Sequence, residues 1–267
     1  MTPLQAIVLA IIQGISEFLP ISSSGHLILV PRLLGWPDQG LVFDIATHVG
    51  SLLAVLVYFR KQLLALLRAV PRLFTREALQ PGTDAFLLLG LGVGTIPAAV
   101  TGLLVSDFVA GAGRNPRLVA VNLIVFGLLL GIADRVGRKQ LELRQIRWLH
   151  VLVVGCLQAL ALIPGTSRSG ITITGGLFTG LTRATAARFA FLLYVPVMLA
   201  VTAKEVLDLA QGEGAGVGAI PLALGFGVSA LTSFAVIAFL LRWLQRRTLL
   251  AFVVYRVLLG VVLLLMF

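Results

Sequence analysis

Hydrophobic positions in this chain run together in long blocks and do not alternate with polar ones. Four blocks are long and clean: Leu41 to Phe59, Ala85 to Val105, Leu118 to Ala133 and Ala219 to Leu241. A helix rises 1.5 Å per residue and a hydrocarbon core is ~30 Å thick, so each block predicts a transmembrane helix. A fifth block, Leu249 to Phe267, is interrupted only by Arg256, and a sixth, Phe189 to Ala203, contains Pro196. That proline predicts a kink and not a stop. Two more apolar regions, residues 3 to 31 and 148 to 182, are broken midway by glycines, prolines and polar side chains.

Composition excludes a soluble globule. Of 267 residues 58% are hydrophobic and 12% charged, about half the ~25% charged content of soluble domains. The mean hydropathy is +1.03, and no segment is polar enough to fold in water by itself. A net charge of +10 would suggest nucleic acid if the cations shared one solvated surface, but they sit between apolar runs. No nucleic-acid partner is expected. Cys156, the single cysteine, lies in an apolar run and reads as a small buried hydrophobe. The first basic residue is Arg32, so no secretory signal is expected at the N-terminus.

The cations form three clusters: Arg60, Lys61, Arg68, Arg72 and Arg76; Arg135, Arg138, Lys139, Arg144 and Arg147; Arg242, Arg246 and Arg247. These predict cytoplasmic loops. The intervening segments hold mixed charge: Arg32 with Asp38, Asp107 with Arg114 and Arg117, and Lys204 with Glu205, Asp208 and Glu213. With loops so assigned, the stretch from Arg147 to Arg183 and Arg188 starts and ends on the cytoplasmic side, so it is predicted to dip into the membrane and turn back. Residues 3 to 31 are predicted to do the same from outside, a simple span being the alternative.

The two interrupted regions also match at an offset of 145: Gln13 falls on Gln158, Ser22 on Ser167, Ser24 on Ser169 and Gly25 on Gly170. Each is followed by three apolar blocks that run in opposite directions. The expected fold is therefore an all-α polytopic membrane protein with inverted-topology repeats, six transmembrane helices plus two re-entrant helical hairpins. It forms one membrane domain, with repeat 1 at about 1–135 and repeat 2 at about 146–267. Non-helical backbone is tolerated at membrane depth only where it lines a polar cavity. The interruptions are thus the candidate site.

The first reads Gln13-Gly-Ile-Ser-Glu17-Phe-Leu-Pro20-Ile-Ser22-Ser23-Ser24-Gly25-His26. Gln13 and Glu17 share a helix face, and Pro20 ends that helix. A carboxylate in an apolar stretch costs several kcal/mol unless paired, which makes Glu17 a functional candidate. The second reads Pro164-Gly165-Thr166-Ser167-Arg168-Ser169-Gly170-Ile-Thr172. Arg168 offers a planar fork of donors for phosphate oxygens, and the hydroxyls of Ser167, Ser169 and Thr172 with nearby amides form an anion cradle. A carboxylate and histidine opposite such an arginine can hydrolyse a phosphoester or diphosphate. Arg168 neutralises developing charge, Ser23 or a water attacks, and Glu17 or His26 moves protons. Gln13, Ser22 and Ser24 are further substrate-binding candidates. A divalent cation, Mg2+ or Ca2+, is expected with Glu17 and Gln13 as oxygen ligands. A site buried among lipid-facing helices takes a lipid diphosphate.

Together with Ala46-Thr-His48-Val-Gly50-Ser, these strings resemble the bacterial undecaprenyl-diphosphate phosphatase family known as BacA or UppP. Its paired motifs are (Glu/Gln)-x-x-x-Glu and Pro-Gly-x-Ser-Arg-Ser-x-x-Thr, and Gln13 takes the variable first position. The resemblance implies hydrolysis of undecaprenyl diphosphate to undecaprenyl phosphate and inorganic phosphate, carrier-lipid recycling for the cell wall, and bacitracin resistance. By motif position it implies that Glu17, His26 and Arg168 are needed for activity and that Ser23 acts on the phosphate. It also implies a plasma (inner) membrane protein with its cavity open to the periplasmic face, cation dependence and a homodimer. Two other readings of the same residues are a lipid-phosphate transporter built on the midplane site and a structural scaffold in which Glu17 and Arg168 only hold the hairpins together.

Overall fold

The computed structural model describes residues 1–112, 115–210 and 217–267, with residues 105–112, 208 and 210 described by backbone only. Of the charges expected in outer loops, Arg114 and Glu213 lie outside the described residues, as do the side chains of Asp107 and Asp208. Among the described residues the chain is helical throughout: α1 Pro3–Phe18, α2 Ser23–Leu34, α3 Leu41–Tyr58, α4 Arg60–Arg68, α5 Asp84–Ala112, α6 Pro116–Val136, α7 Trp148–Ala159, α8 Arg168–Phe178, α9 Arg183–Ala210, α10 Ala219–Trp243 and α11 Leu250–Met266.

Five helices are long and apolar enough to cross a membrane, namely α3, α5, α6, α9 and α10. The protein is therefore a polytopic membrane protein. The sixth expected span, α11, has 17 residues, about 26 Å at 1.5 Å per residue. α9 is longer than the apolar block Phe189 to Ala203 that announced it, because Thr182 caps the helix start: its Oγ accepts from the amide of Thr185 at 3.2 Å. Pro196 lies inside this helix and does not stop it. Side chains such as Leu231, 75% exposed, and Leu265, 83% exposed, stand on the outer faces of these helices, as apolar residues of a membrane bundle do. Cys156 corrects its expectation: it is exposed. An apolar run reports depth in the membrane, and a helix in lipid has apolar residues on every face. Gly155, the neighbour of Cys156, is the position that packs inward.

The segments α1 with α2 and α7 with α8 form two short helical pairs. The longest of these helices, α1, has 16 residues, about 24 Å. The second pair enters and leaves at the same end of the bundle, since the amides of Gln140 and Leu141 both donate to the carbonyl of Gly180, and Thr182 N–H donates to Leu141. Charged groups tie that end together. Asp134 takes Arg183 Nε on one oxygen and the amide of Leu249 at 3.0 Å on the other.

Helix crossings are lined by small residues, as expected where lipid removes any hydrophobic drive between helices. α1 and α3 pack on α10, α7 packs on α5, and α6 packs on α11. Across the α3–α10 contact Ser229 Oγ donates to Thr47 O at 2.9 Å and Ser233 Oγ to Ser51 Oγ at 3.0 Å. At the α7–α5 crossing a Cβ on Gly155 would stand 2.7 Å from the carbonyl oxygen of Gly94 and 2.8 Å from its Cα. Backbone atoms on both sides leave nothing to yield. Gly155→Ala is expected to lower stability in detergent by about 1–3 kcal/mol, the usual range for overpacking. Gly92→Ala, where a Cβ meets nothing within 4 Å, is expected to be neutral or stabilising by up to ~1 kcal/mol through helix propensity. Thermal unfolding of both variants checks the pair.

Candidate active site

The two helical pairs turn by the same device. α1 ends at Phe18 because Pro20 follows, and the residue before that proline, Leu19, is extended at ψ 140°. Ser22 then has φ 77° and ψ 99°, and Ser167 has φ 71° and ψ 112°, a region that side chains rarely adopt and that costs about 1–3 kcal/mol per residue. Each serine is held there by its own hydroxyl. Ser22 Oγ accepts from Gly25 N–H at 3.4 Å, and Ser167 Oγ accepts from Gly170 N–H at 3.2 Å. Each hydroxyl also pairs with the serine two positions on, Ser22 with Ser24 at 3.3 Å and Ser167 with Ser169 at 3.2 Å.

The two turns meet inside the bundle. Arg168 Nη2 donates to Glu17 Oε1 at 2.9 Å, with side-chain exposures of 11% and 7%. Glu17 Oε2 accepts from Ser23 Oγ at 2.7 Å and from Gln13 Nε2 at 3.1 Å. Arg168 lies over the ring of Tyr194, its guanidinium carbon 4.1 Å from the centroid, a cation–π contact that is strongest where water is excluded. A second bond joins the turns directly: Ser169 Oγ donates to Leu19 O at 3.1 Å.

Arg256 binds both turns from behind. It is fully buried and donates to the carbonyls of Gly165 and Thr166 at 2.9 Å, of Pro20 at 3.4 Å, and of Asn122 and Leu123 on α6 at 3.4 and 3.2 Å. Carbonyls left free where helices break need such donors at membrane depth. Asn122 adds another, its Nδ2 donating to Pro164 O at 2.9 Å.

The expected site residues fall into two groups. Glu17, Arg168, Ser23 and Gln13 form one constellation around the ion pair. Ser22, Ser167, Ser169 and Thr172 are buried and build the turns. Thr172 Oγ1 donates back to Arg168 O at 2.7 Å, and Ser24 is exposed at the mouth of the first turn. His26 does not join the ion pair. Its Nδ1 lies 2.7 Å from Ser22 O and its Nε2 lies 2.6 Å from Tyr255 OH, with the two rings stacked. A carbonyl can only accept, so Nδ1 carries a proton, and Nε2 pairs with the tyrosine hydroxyl. His48, on α3, leaves its Nδ1 buried without a partner.

Sequence reasoning did not single out Tyr194, Tyr255 and Asn122, which carry no signal inside apolar runs. Arg256 did carry one, a lone charge in a hydrophobic block, the argument that selected Glu17. Two atoms at the centre of the site are also buried without partners: Gln13 Oε1 and Arg168 Nε. Gln158, which aligns with Gln13, leaves both amide atoms in that state. Gln13 turns its Nε2 to the Glu17 carboxylate, and Gln13 Oε1 with that carboxylate are the oxygens these residues could offer a hard divalent cation. Among the described residues no cluster of three His, Cys, Asp or Glu exists, so remaining ligands would come from substrate and water.

The family model described as bacitracin resistance protein BacA matches residues 6–262. The undecaprenyl-diphosphatase of Magnetococcus marinus is 51% identical over 259 residues, 96% of either chain. The undecaprenyl-diphosphatase 2 of Stutzerimonas stutzeri is 47% identical over 268 residues, 99% of this chain and 98% of its own. The undecaprenyl-diphosphatase of Thioalkalivibrio sulfidiphilus is 45% identical over 263 residues, 98% of each. Matched from end to end, and with both motifs meeting at one ion pair, this chain belongs to the BacA family.

Proposed function

We propose that the protein is a membrane phosphatase that hydrolyses undecaprenyl diphosphate to undecaprenyl phosphate and inorganic phosphate. It thereby recycles the carrier lipid for cell-wall synthesis and confers bacitracin resistance. The observation that carries this reading is the Glu17–Arg168 contact, which brings residues 151 positions apart to one buried point at 2.9 Å. The full-length relatives bear the same activity in their names.

In this reading the two short helical pairs are re-entrant hairpins of inverted repeats, and α11 completes six spans. The shared geometry of Ser22 and Ser167 supports the repeat. The clusters around Arg60, Arg138 and Arg247 face the cytoplasm of the plasma membrane, and the site opens to the periplasmic side. A homodimer is the expected assembly.

Glu17 has a task for each oxygen. Oε1 holds the guanidinium of Arg168, and Oε2 accepts the hydroxyl of Ser23, the geometry of a nucleophile with its general base. When the diphosphate head enters, Arg168 turns its donors to the phosphoryl oxygens, including Nε, which has no partner in the resting site. Ser23 Oγ attacks the terminal phosphorus as its proton passes to Glu17. The bond to the bridging oxygen breaks, and undecaprenyl phosphate departs with that oxygen. Water then cleaves the phosphoserine and releases inorganic phosphate. Glu17 and Gln13 would hold the divalent cation, which supplies charge neutralisation for the diphosphate when bound. His26, fixed by Ser22 and Tyr255, stands ready to exchange a proton with water at the mouth of the site.

Purified protein is expected to release phosphate from a C55 or shorter prenyl diphosphate. Arg168→Ala should reduce kcat/KM by on the order of a thousandfold or more, the loss seen for a transition-state arginine. Arg168→Lys should recover little of it, since a point charge lacks the planar fork. Background release together with lipid movement across liposomes would favour the transporter, and background release alone, with Glu17→Ala and Arg168→Ala no different from wild type, would favour the scaffold.

Ser23→Ala is expected to abolish an acid-stable phosphoenzyme that wild type accumulates on rapid quenching, and to cost roughly a hundredfold or more in rate. Turnover without any phosphoserine would assign the attack to water.

A further inference from the structure

We propose that the basic end of the bundle carries a second, non-catalytic site that seats the phosphate headgroup of an anionic phospholipid. A cavity of about 510 Å³ opens there between α3, α4, α9 and α10, with Arg60, Lys61 and Arg188 on its rim and Tyr58, Phe59 and Leu241 on its walls. No carboxylate lines it. The ion pairs among the described residues join Arg72 to Glu77, Arg168 to Glu17 and Arg183 to Asp134, so none of the three rim cations is neutralised by a side chain. Arg60 spends one Nη1 donor on the carbonyl of Val57 at 3.2 Å. Three cations that line one cavity without a carboxylate among the lining residues attract an anion into it.

The surroundings decide which anion. A free phosphate needs only donors, whereas this cavity pairs donors with an aromatic and aliphatic wall. The segment that follows exposes further apolar side chains, Leu64 at 51% and Leu67 at 63% on α4, and Phe74 at 93%. Arg68, Arg72 and Arg76 are interspersed with those residues, the arrangement of a segment lying in a membrane interface. Acyl chains can cover those side chains while the phosphate occupies the rim, and basic pockets between helices are known seats for such headgroups. Tyr58 has the amphipathic ring favoured at headgroup depth.

This site is separate from the catalytic one. The two share no residue, and a row of rings in edge contact lies between them: Phe59 to Phe191 at 6.4 Å, Phe191 to Phe18 at 5.2 Å and Phe18 to Tyr194 at 5.3 Å between centroids. Arg168 lies beyond Tyr194, on the far side.

The test is binding of phosphatidylglycerol, titrated against phosphatidylcholine in mixed micelles and counted by native mass spectrometry on the full chain. Wild type is expected to retain phosphatidylglycerol preferentially. Arg188→Gln should weaken retention about fivefold and the triple variant Arg60→Gln, Lys61→Gln, Arg188→Gln on the order of a hundredfold, at ~1 kcal/mol per cation. A control triple, Arg242→Gln, Arg246→Gln and Arg247→Gln, removes the same charge from another cluster and should bind as wild type. Phosphatase activity of Arg188→Gln, expected to be unchanged in phosphatidylcholine alone, reports folding. Equal losses in both triples, no preference in wild type, or displacement of the lipid by inorganic phosphate would each overturn the proposal.

Discussion

A salt bridge between Glu17 and Arg168 lies where two broken helices converge, and the rest of the molecule is arranged to make that bridge possible. Burying either charge alone at this depth would cost several kcal/mol, and removing one partner would strand the other. The turns therefore stabilise each other: the acid of one is tolerated because the other supplies a guanidinium. Their meeting also explains why strained backbone persists at Ser22 and Ser167. Each serine is held by its own side chain, and the bond from Ser169 to Leu19 ties the two turns together beside them.

Around this contact the charge balance is deliberately uneven in sign. Among the described residues Glu17 is the one acid paired with Arg168, while Arg256 lies behind both turns with carbonyls as its partners. Carbonyl dipoles satisfy its donors but leave its charge uncancelled. A diphosphate head entering such a site meets an excess of positive charge in a medium of low dielectric, where attraction is strong. The orphaned atoms Gln13 Oε1 and Arg168 Nε fit the same picture, as groups whose bonds are completed by a ligand and not by the protein.

The ring wall from Tyr194 through Phe18 and Phe191 to Phe59 gives the bundle two chemically distinct ends. Aromatic edge contacts exclude water at no cost in unsatisfied polar groups. The ion pair lies at the Tyr194 end of this row, and the cations Arg60 and Lys61 follow Phe59 at the other.

Much of this was legible in the residues. Apolar blocks of bilayer length leave helices as the only structure that satisfies every backbone group in lipid, and so determined the all-helical class. Prolines, glycines and serines within two of those blocks marked the breaks, and the cost of a lone charge in hydrocarbon singled out Glu17 and Arg168. Other features depended on which faces meet. Hydropathy reports depth but not direction, so Cys156 could point to lipid, and α9 could extend past its apolar block under the cap of Thr182. Nor does spacing along the chain say which partner a side chain chooses. His26 turned to Tyr255 and Arg256 gathered carbonyls from three separate segments, because those pairings arise from contacts between residues up to 236 positions apart, which only the packed bundle creates.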